Sequence, residues 1–373
     1  MVLISNGVKQ GCILPPKLFS IFFSIMLRVA KGDLPDGIYI RFRTDGSLFN
    51  LLRLLARTKT IEELITELLF ADDCALLALT EEALQHIVNR FSDAAKNFGL
   101  TISLKKTEVL YQSPPRVAYI SIDGIKLNAV EHFTYLGSVI SNDATVSKDL
   151  DNRLSKASSS FGRRRVTRSA SSQRSRCTGP SSFPQEYSAE TWVLYRKQIR
   201  LLERFHQRCL RSILGIKWQD HVSNEEVLKR ASLSSLESIL LQVQLRWAGH
   251  VTRMEDVHLP KAVFFSELQG KRNRGAPRKR YKDQLKRQLA QAGISHQSWQ
   301  QEAADRDSWR SSVRKASCEF EAEKHKAAKE KRRRQKERAA SLPSSSQTFV
   351  CPKCGRGCAS RISLYSHQRV CMN

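Results

Sequence analysis

The 373-residue sequence lacks an apolar run long enough to cross a bilayer, which takes about 20 residues. The run Leu18-Phe19-Ser20-Ile21-Phe22-Phe23-Ser24-Ile25-Met26-Leu27 falls short of that. Without the positive n-region of a secretory leader, it reads as a buried helix. Acidic residues are scarce: 36 Asp+Glu face 62 Lys+Arg, giving a net charge of +26. The deficit is uneven. Residues 1–150 hold 16 Lys+Arg and 16 Asp+Glu, so the whole excess lies in 151–373, with 46 basic residues against 20 acidic. A basic second half calls for a polyanionic partner, RNA or DNA, although a solvated basic tail has the same composition. A secretory disulfide pattern is also missing. Cys12, Cys74, Cys177, Cys209 and Cys318 are scattered, and the other four cysteines crowd the last 23 residues. These absences argue against a membrane-spanning chain and a secreted disulfide scaffold, and predict a reducing compartment, nucleus or cytoplasm.

What is present is concentrated in a few motifs. Leu68-Leu69-Phe70-Ala71-Asp72-Asp73-Cys74-Ala75-Leu76-Leu77 sets two adjacent carboxylates between apolar runs. Like charges repel, so such a pair is best tolerated where a divalent cation bridges it to a substrate. The flanks suggest a β-hairpin with the acidic pair in its turn. That arrangement suits nucleotidyl transfer by Mg2+, and a plain solvated turn is the alternative.

Three further stretches give this pair a context. Gly7-Val8-Lys9-Gln10-Gly11-Cys12-Ile13-Leu14-Pro15-Pro16-Lys17-Leu18-Phe19 resembles the motif before the catalytic hairpin of non-LTR (LINE-type) retrotransposon reverse transcriptases, and Phe70 to Asp73 resembles their metal-binding box. Gly99 to Glu108 is similar to the next palm motif, and Phe133-Thr134-Tyr135-Leu136-Gly137-Ser138 to the hairpin that supports the primer end. The four occur in family order over residues 1–145. The resemblance implies that Asp72 and Asp73 bind Mg2+, that Lys106 lies near the triphosphate as a proton donor, and that Gln10, Gly11, Phe70 and Ala71 line the substrate. It also implies a further catalytic aspartate before the first motif, where Met1 to Asn6 hold no Asp. With the fingers absent too, this chain alone is expected to polymerise little or not at all.

Residues 163–184 break the pattern. The stretch from Arg163 is Arg/Ser-rich and almost without apolar periodicity, which reads as a linker. Ser169 to Ser181 also has codon choices that, read one base earlier, give Ser-Leu-Leu-Thr-Lys-Ile-Lys-Val-Tyr-Arg-Ala-Val, an amphipathic segment of the kind the family carries here. Compensating frameshifts would then have scrambled the thumb. The resemblance resumes around Tyr187 to Trp192.

Residues 191–254 predict helices, with Trp192, Leu194, Ile199, Leu202, Phe205, Leu210 and Ile213 at 3–4-residue spacing and Arg and Lys opposite. Leu245-Arg246-Trp247-Ala248-Gly249-His250-Val251 resembles the post-polymerase region of the same elements. His206, His221 and His250 lack partners at metal spacing and read as ordinary packed or surface histidines. The loop around Lys271, Arg272, Arg274, Arg278, Lys279, Arg280 and Lys282 suits phosphate contacts, with Tyr281 offered for base stacking; a solvated linker is the alternative. Glu319 to Ala340 reads as one charged helix, serving as a nuclear localisation signal, an RNA-binding arm or a solvated helix.

The end of the chain carries Cys351-x2-Cys354-x12-His367-x3-Cys371, the ligand types and spacing of a zinc finger. Phe349 and Leu364 fit its core, and Cys358 is either a core residue or a competing thiolate. A module this small needs Zn2+ for its folding energy. The expected fold class is α+β: a partial reverse-transcriptase palm (1–145), a disrupted thumb or linker (146–189), a basic helical region (190–315), a charged helix with a Ser-rich linker (316–348), and a small ββα zinc finger (349–373). RNA and DNA are the expected partners, with no membrane, and Zn2+ and Mg2+ the expected ions.

Overall fold

A computed structural model describes residues 14–31, 37–112, 119–166, 189–268, 275, 278–341, 349–358 and 360–371. The chain divides into two units, Met1–Cys318 and Glu319–Asn373. Helices alternate with short, mostly two-stranded sheets. Among the described residues no helix is long and apolar enough to cross a membrane.

The first unit begins with α1 (Leu14–Lys31), which packs against α2 (Glu81–Asn97). Thr80 caps α2, its side chain accepting from the Ala83 N–H at 3.2 Å, and Glu81 and Glu82 oppose the positive end of the helix dipole. Ala94 and Ala95 let α1 come close, so Phe23 and Met26 are buried against them. The opposite face of α1 is not buried. Leu18, Ile21, Phe22, Ile25 and Val29 lie 38–59% exposed, which corrects the expectation of a buried helix. The sequence misleads because α1 is apolar around most of its circumference, and such a pattern does not tell which face is covered. On its other side α2 sends Val88 into a core with Val109, Ile120, Ile122 and Leu127, which Leu76 joins.

Residues 37–65 pack elsewhere. Strand β1 (Ile38–Phe42) pairs antiparallel with β2 (Ile61–Ile65) and, on its other edge, with Glu267–Leu268. The buried Arg53 donates to the Phe265 carbonyl at 2.9 Å and lies 5.5 Å from the centre of that ring. The Leu48 N–H donates to Gln300 Oε1 at 2.9 Å. An early segment of the chain is thus fastened to a region far along it.

The helices that follow are α3 (Ser147–Val166), α4 (Arg196–Leu214), α5 (Asn224–Ala231), α6 (Leu236–Thr252), α7 (Leu259–Phe265), α8 (Tyr281–Gln291) and α9 (Trp299–Ala304). Residues 192–195, read as helical from their spacing, are instead irregular backbone before α4. Buried glutamines satisfy that backbone. Gln244 Nε2 donates to the carbonyls of Ala189 and Trp192, both at 2.9 Å. Gln284 Nε2 donates to the Trp192 carbonyl at 3.0 Å, and its Oε1 accepts from the Leu194 N–H at 2.9 Å. Without such partners, buried non-helical backbone would leave polar groups unpaired at a cost of about 1–3 kcal/mol each.

A helix over Arg306–Ser341 follows, longer than the charged segment expected from Glu319. Its first turns bury Trp309, Val313 and Ala316. The Trp309 indole lies over Gly249 and donates to the Leu245 carbonyl at 3.0 Å. A Cβ on Gly249 would sit 2.3 Å from Trp309 Nε1. Gly249→Ala is therefore expected to destabilise the protein by about 1–3 kcal/mol through overpacking. Helix propensity alone would give a gain of about 1 kcal/mol, so the sign of the shift in a urea midpoint checks the contact.

The second unit begins with the polar part of the same helix, where Glu330 pairs with Arg333 and Arg334 at 2.9 and 2.8 Å. Residues Phe349–Val350 and Gly357–Cys358 then form an antiparallel hairpin, followed by the helix Arg361–Val370.

Candidate functional site

The acidic pair sits on a hairpin of β3 (Glu67–Phe70) and β4 (Asp73–Leu76), with Phe70 opposite Asp73. The turn is Ala71-Asp72, so Asp72 lies in the turn and Asp73 opens the second strand, a shift from the expected placement of both in the turn. Ala71 adopts φ +52°, the left-handed region that costs a Cβ-bearing residue about 1–2 kcal/mol. Both aspartates and Phe70 are exposed at the tip. Behind them Cys74 is turned inward, and burial, with the nearby Glu67 carboxylate, pushes its thiol up to about 12.

A second hairpin, β5 (His132–Tyr135) with β6 (Ser138–Ser141), stands beside the first. Its turn, Leu136-Gly137, has φ of +48° and +80°, the pattern whose twist matches paired strands. The Tyr135 hydroxyl donates to the Leu68 carbonyl at 3.0 Å. Burial raises the Tyr135 pKa, and the charges of Cys74 and Asp73 add to the effect. The motifs resembling the metal box and the primer-supporting hairpin therefore meet in space.

The remaining candidate residues are more dispersed. Lys106 is exposed in a turn whose N–H donates to the Ser103 carbonyl at 3.0 Å. Gln10 and Gly11 lie outside the described residues, as do Lys271, Arg272 and Arg274. Among the described residues no third carboxylate, His or Cys gathers with Asp72 and Asp73.

The described part of the basic loop is largely engaged within the protein. Arg278 donates to the Asp143 carbonyl. Lys279 Nζ lies 4.7 Å from the centre of the Tyr195 ring. Arg280 pairs with Glu267 at 2.5 Å, and Lys282 with Glu267 at 3.0 Å and the Ser266 carbonyl at 2.5 Å. Burial lowers the Lys282 pKa. Tyr281, expected to stack on a base, instead packs inward, 5.9 Å from the Phe264 ring in an edge-on contact. Burial raises its pKa.

Cys351, Cys354, His367 and Cys371 converge, their ligand atoms all within 4.8 Å of one another. Cys354 Sγ lies 3.0 Å from His367 Nε2. A tetrahedral zinc with bonds of about 2.0–2.3 Å separates its ligands by roughly 3.3–3.8 Å, so this soft sulfur and imidazole set fits Zn2+ with small adjustment. The hairpin brings the first two ligands together. The Cys351 N–H donates to the Arg356 carbonyl at 2.9 Å, and Gly355 turns the chain at φ +70°. N–H groups of Lys353 and Cys354 lower the Cys351 pKa, whereas hydrogen bonding to Cys354 and burial push Cys371 up to about 11. Cys358 is buried opposite Phe349 and stands apart from the four, as a core residue does. Ser360 caps the helix that carries His367, accepting from the Ser363 N–H at 3.1 Å.

Of the histidines in the helical half, His206 is buried and its pKa is pushed down to about 4, while His221 and His250 are exposed. None of the three joins a metal cluster among the described residues. Sequence reading missed Trp218, which stands 80% exposed after α4. Its signal was an aromatic in a polar turn directly beyond a basic helix.

Residues 2–140 match the family described as Reverse transcriptase (RNA-dependent DNA polymerase). The chain is also similar to a Caenorhabditis elegans protein described as uncharacterized and transposon-derived, 24% identical over 271 residues, which cover 67% of this chain and 96% of the relative. No solved structure matches the chain. The family match spans the first hairpin, the residues between the two, and the second hairpin up to Ile140.

Proposed function

We propose that the chain is a non-LTR (LINE-type) retrotransposon reverse transcriptase protein that binds RNA and DNA but does not extend a primer on its own. The observation that carries this reading is the exposed Asp72-Asp73 hairpin tip, buttressed through Tyr135 within the segment similar to reverse transcriptases. Asp72 and Asp73 are the residues that would hold Mg2+, with Lys106, Phe70, Ala71, Gln10 and Gly11 toward the substrate. In-line displacement at phosphorus needs the attacking and leaving oxygens clamped together. Two carboxylates at one hairpin tip supply one side of that clamp, and no third ligand joins them among the described residues. The basic helices and a zinc finger formed by Cys351, Cys354, His367 and Cys371 then retain nucleic acid, in the nucleus or cytoplasm.

Primer extension on an RNA template with Mg2+, beside the Asp72→Ala/Asp73→Ala double variant, tests the reading. No extension by either protein, with salt-dependent RNA binding by both, is expected. Extension that vanishes in the variant would show a complete metal site and overturn the proposed inactivity.

A second reading, a degenerate element copy, is favoured by the Arg/Ser-rich composition of 163–184. The encoding DNA decides it, because the shifted frame must contain the amphipathic segment.

A further inference from the structure

One face of α4 carries Lys197, Arg200, Arg204, Arg208 and Arg211 at intervals of three and four residues, which stacks them in a single stripe. At about 1.5 Å per residue the stripe runs roughly 21 Å. It lines an open groove together with Glu203, the one acidic side chain there. Lys197, Arg200, Arg204 and Arg208 are exposed, and no ion pair engages them among the described residues. The opposite face of the helix buries Leu202, Phe205, Cys209 and Leu210, so packing fixes the direction in which the stripe points.

The stripe ends at a rigid aromatic. Gly215 closes α4 at φ +70°, and the chain turns through Trp218–Asp220. Arg211 holds this loop against the helix, donating to the Val222 carbonyl and to Asn224 Oδ1, both at 2.8 Å. Asp220 accepts from the Lys217 N–H at 2.7 Å. The turn so fixed presents Trp218 at 80% exposure, its ring edge-on to His221 at a ring separation of 6.4 Å. A large apolar ring held in water by an ordered loop contributes nothing to the core, and at the end of a basic stripe it is placed to stack on a base.

We propose that this face of α4 and Trp218 form a binding site for single-stranded nucleic acid, with phosphates along the stripe and one unpaired base stacked on the indole. Charge complementarity selects a polyanion, and the linear spacing suits a backbone followed strand-wise. The indole selects the unpaired state, because bases within a duplex already have both faces covered by their neighbours. This inference rests on the nucleic-acid reading above and assigns it a place separate from the basic loop of 271–282.

Tryptophan emission reads the site directly in the full-length protein. Of the five tryptophans, Trp192, Trp299 and Trp309 are buried and Trp247 is half-buried, which leaves Trp218 as the ring open to stacking. Titration with a 12-nucleotide oligouridine and with oligothymidine is expected to quench this emission, and a 12-base-pair blunt duplex is not. The quench should be lost in Trp218→Phe, a substitution at an exposed position outside the buried core. In the Arg200→Gln/Arg204→Gln/Arg208→Gln variant the salt slope of the quench midpoint should fall by about 2, at roughly 0.7 per phosphate contact in a single strand. Binding of either oligonucleotide without a Trp218-dependent quench, or equal quenching by the duplex, overturns this inference and leaves the wider nucleic-acid reading standing. Failure to bind any of the three overturns both.

Discussion

Chelation of zinc from the full-length protein is expected to unfold residues 349–371 while the helices of the first unit persist. The expectation follows from how little these residues bury. Phe349 and Leu364 are only partly covered, Ile362 and Tyr365 are 81% and 72% exposed, and the buried side chains are Cys351 and Cys358. Ordering costs about 1.5 kcal/mol per residue, which so small an apolar contribution does not offset. Zinc held by three thiolates and an imidazole supplies about 10–16 kcal/mol and makes binding and folding one event. Cys354→Ser should have the same outcome, since Cys354 lies between the other ligands and contacts His367 at 3.0 Å. Amide NMR signals of 349–371 in the presence and absence of chelator check this, and visible absorption of a Co2+ form tests the ligand set. A helix over Arg361–Val370 that survives in metal-free protein would remove the structural role assigned to zinc.

Replacing Asp149 by Ala should cost about 3–5 kcal/mol, the range for removing one partner of a buried ion pair. Asp149 is 4% exposed and serves three elements at once. Its carboxylate accepts from the Val139 N–H at 2.9 Å, from Arg153 Nε at 3.0 Å and from Trp192 Nε1 at 3.0 Å. The first bond holds the hairpin that carries Tyr135, the second lies along α3, and the third anchors the segment before α4. Alanine would leave the guanidinium of Arg153 and the indole N–H of Trp192 in a largely dry site without their acceptor. Asp149→Asn keeps an acceptor for one donor and should cost less. Denaturant midpoints of the two variants compared with the parent protein check the ranking. A change within 0.5 kcal/mol for the alanine variant would show that solvent replaces these bonds.

Residue patterns that act over a few positions were readable without coordinates. The Leu68–Leu77 pattern marks a hairpin, because apolar flanks need a polar turn between them and Ala71-Asp72 is that turn. The Cys and His spacing in 351–371 fixes which four side chains a hairpin and one helix bring together. The stripe on α4 follows from periodicity alone. Other features were not legible because their signal lies in a partner. Tyr281 looks like an exposed aromatic in a basic loop, yet Phe264 draws it inward. Gly249 looks like a weak point in a helix until Trp309 is placed over it.

Residue types and their spacing already set out the chemistry: an acidic hairpin tip within a segment similar to reverse transcriptases, a Cys3His set and an excess of basic charge in the second half. These depend on residue type and short spacing, which local backbone geometry converts directly into position. It takes the folded chain to show that β1 pairs with residues 267–268, that Gln244 and Gln284 satisfy the backbone around Trp192, and that Asp149 ties together three elements. Each of these is a polar or edge group whose partner is remote in the chain. Burial forces such groups to find a partner, but it does not write the partner's identity into the neighbouring residues.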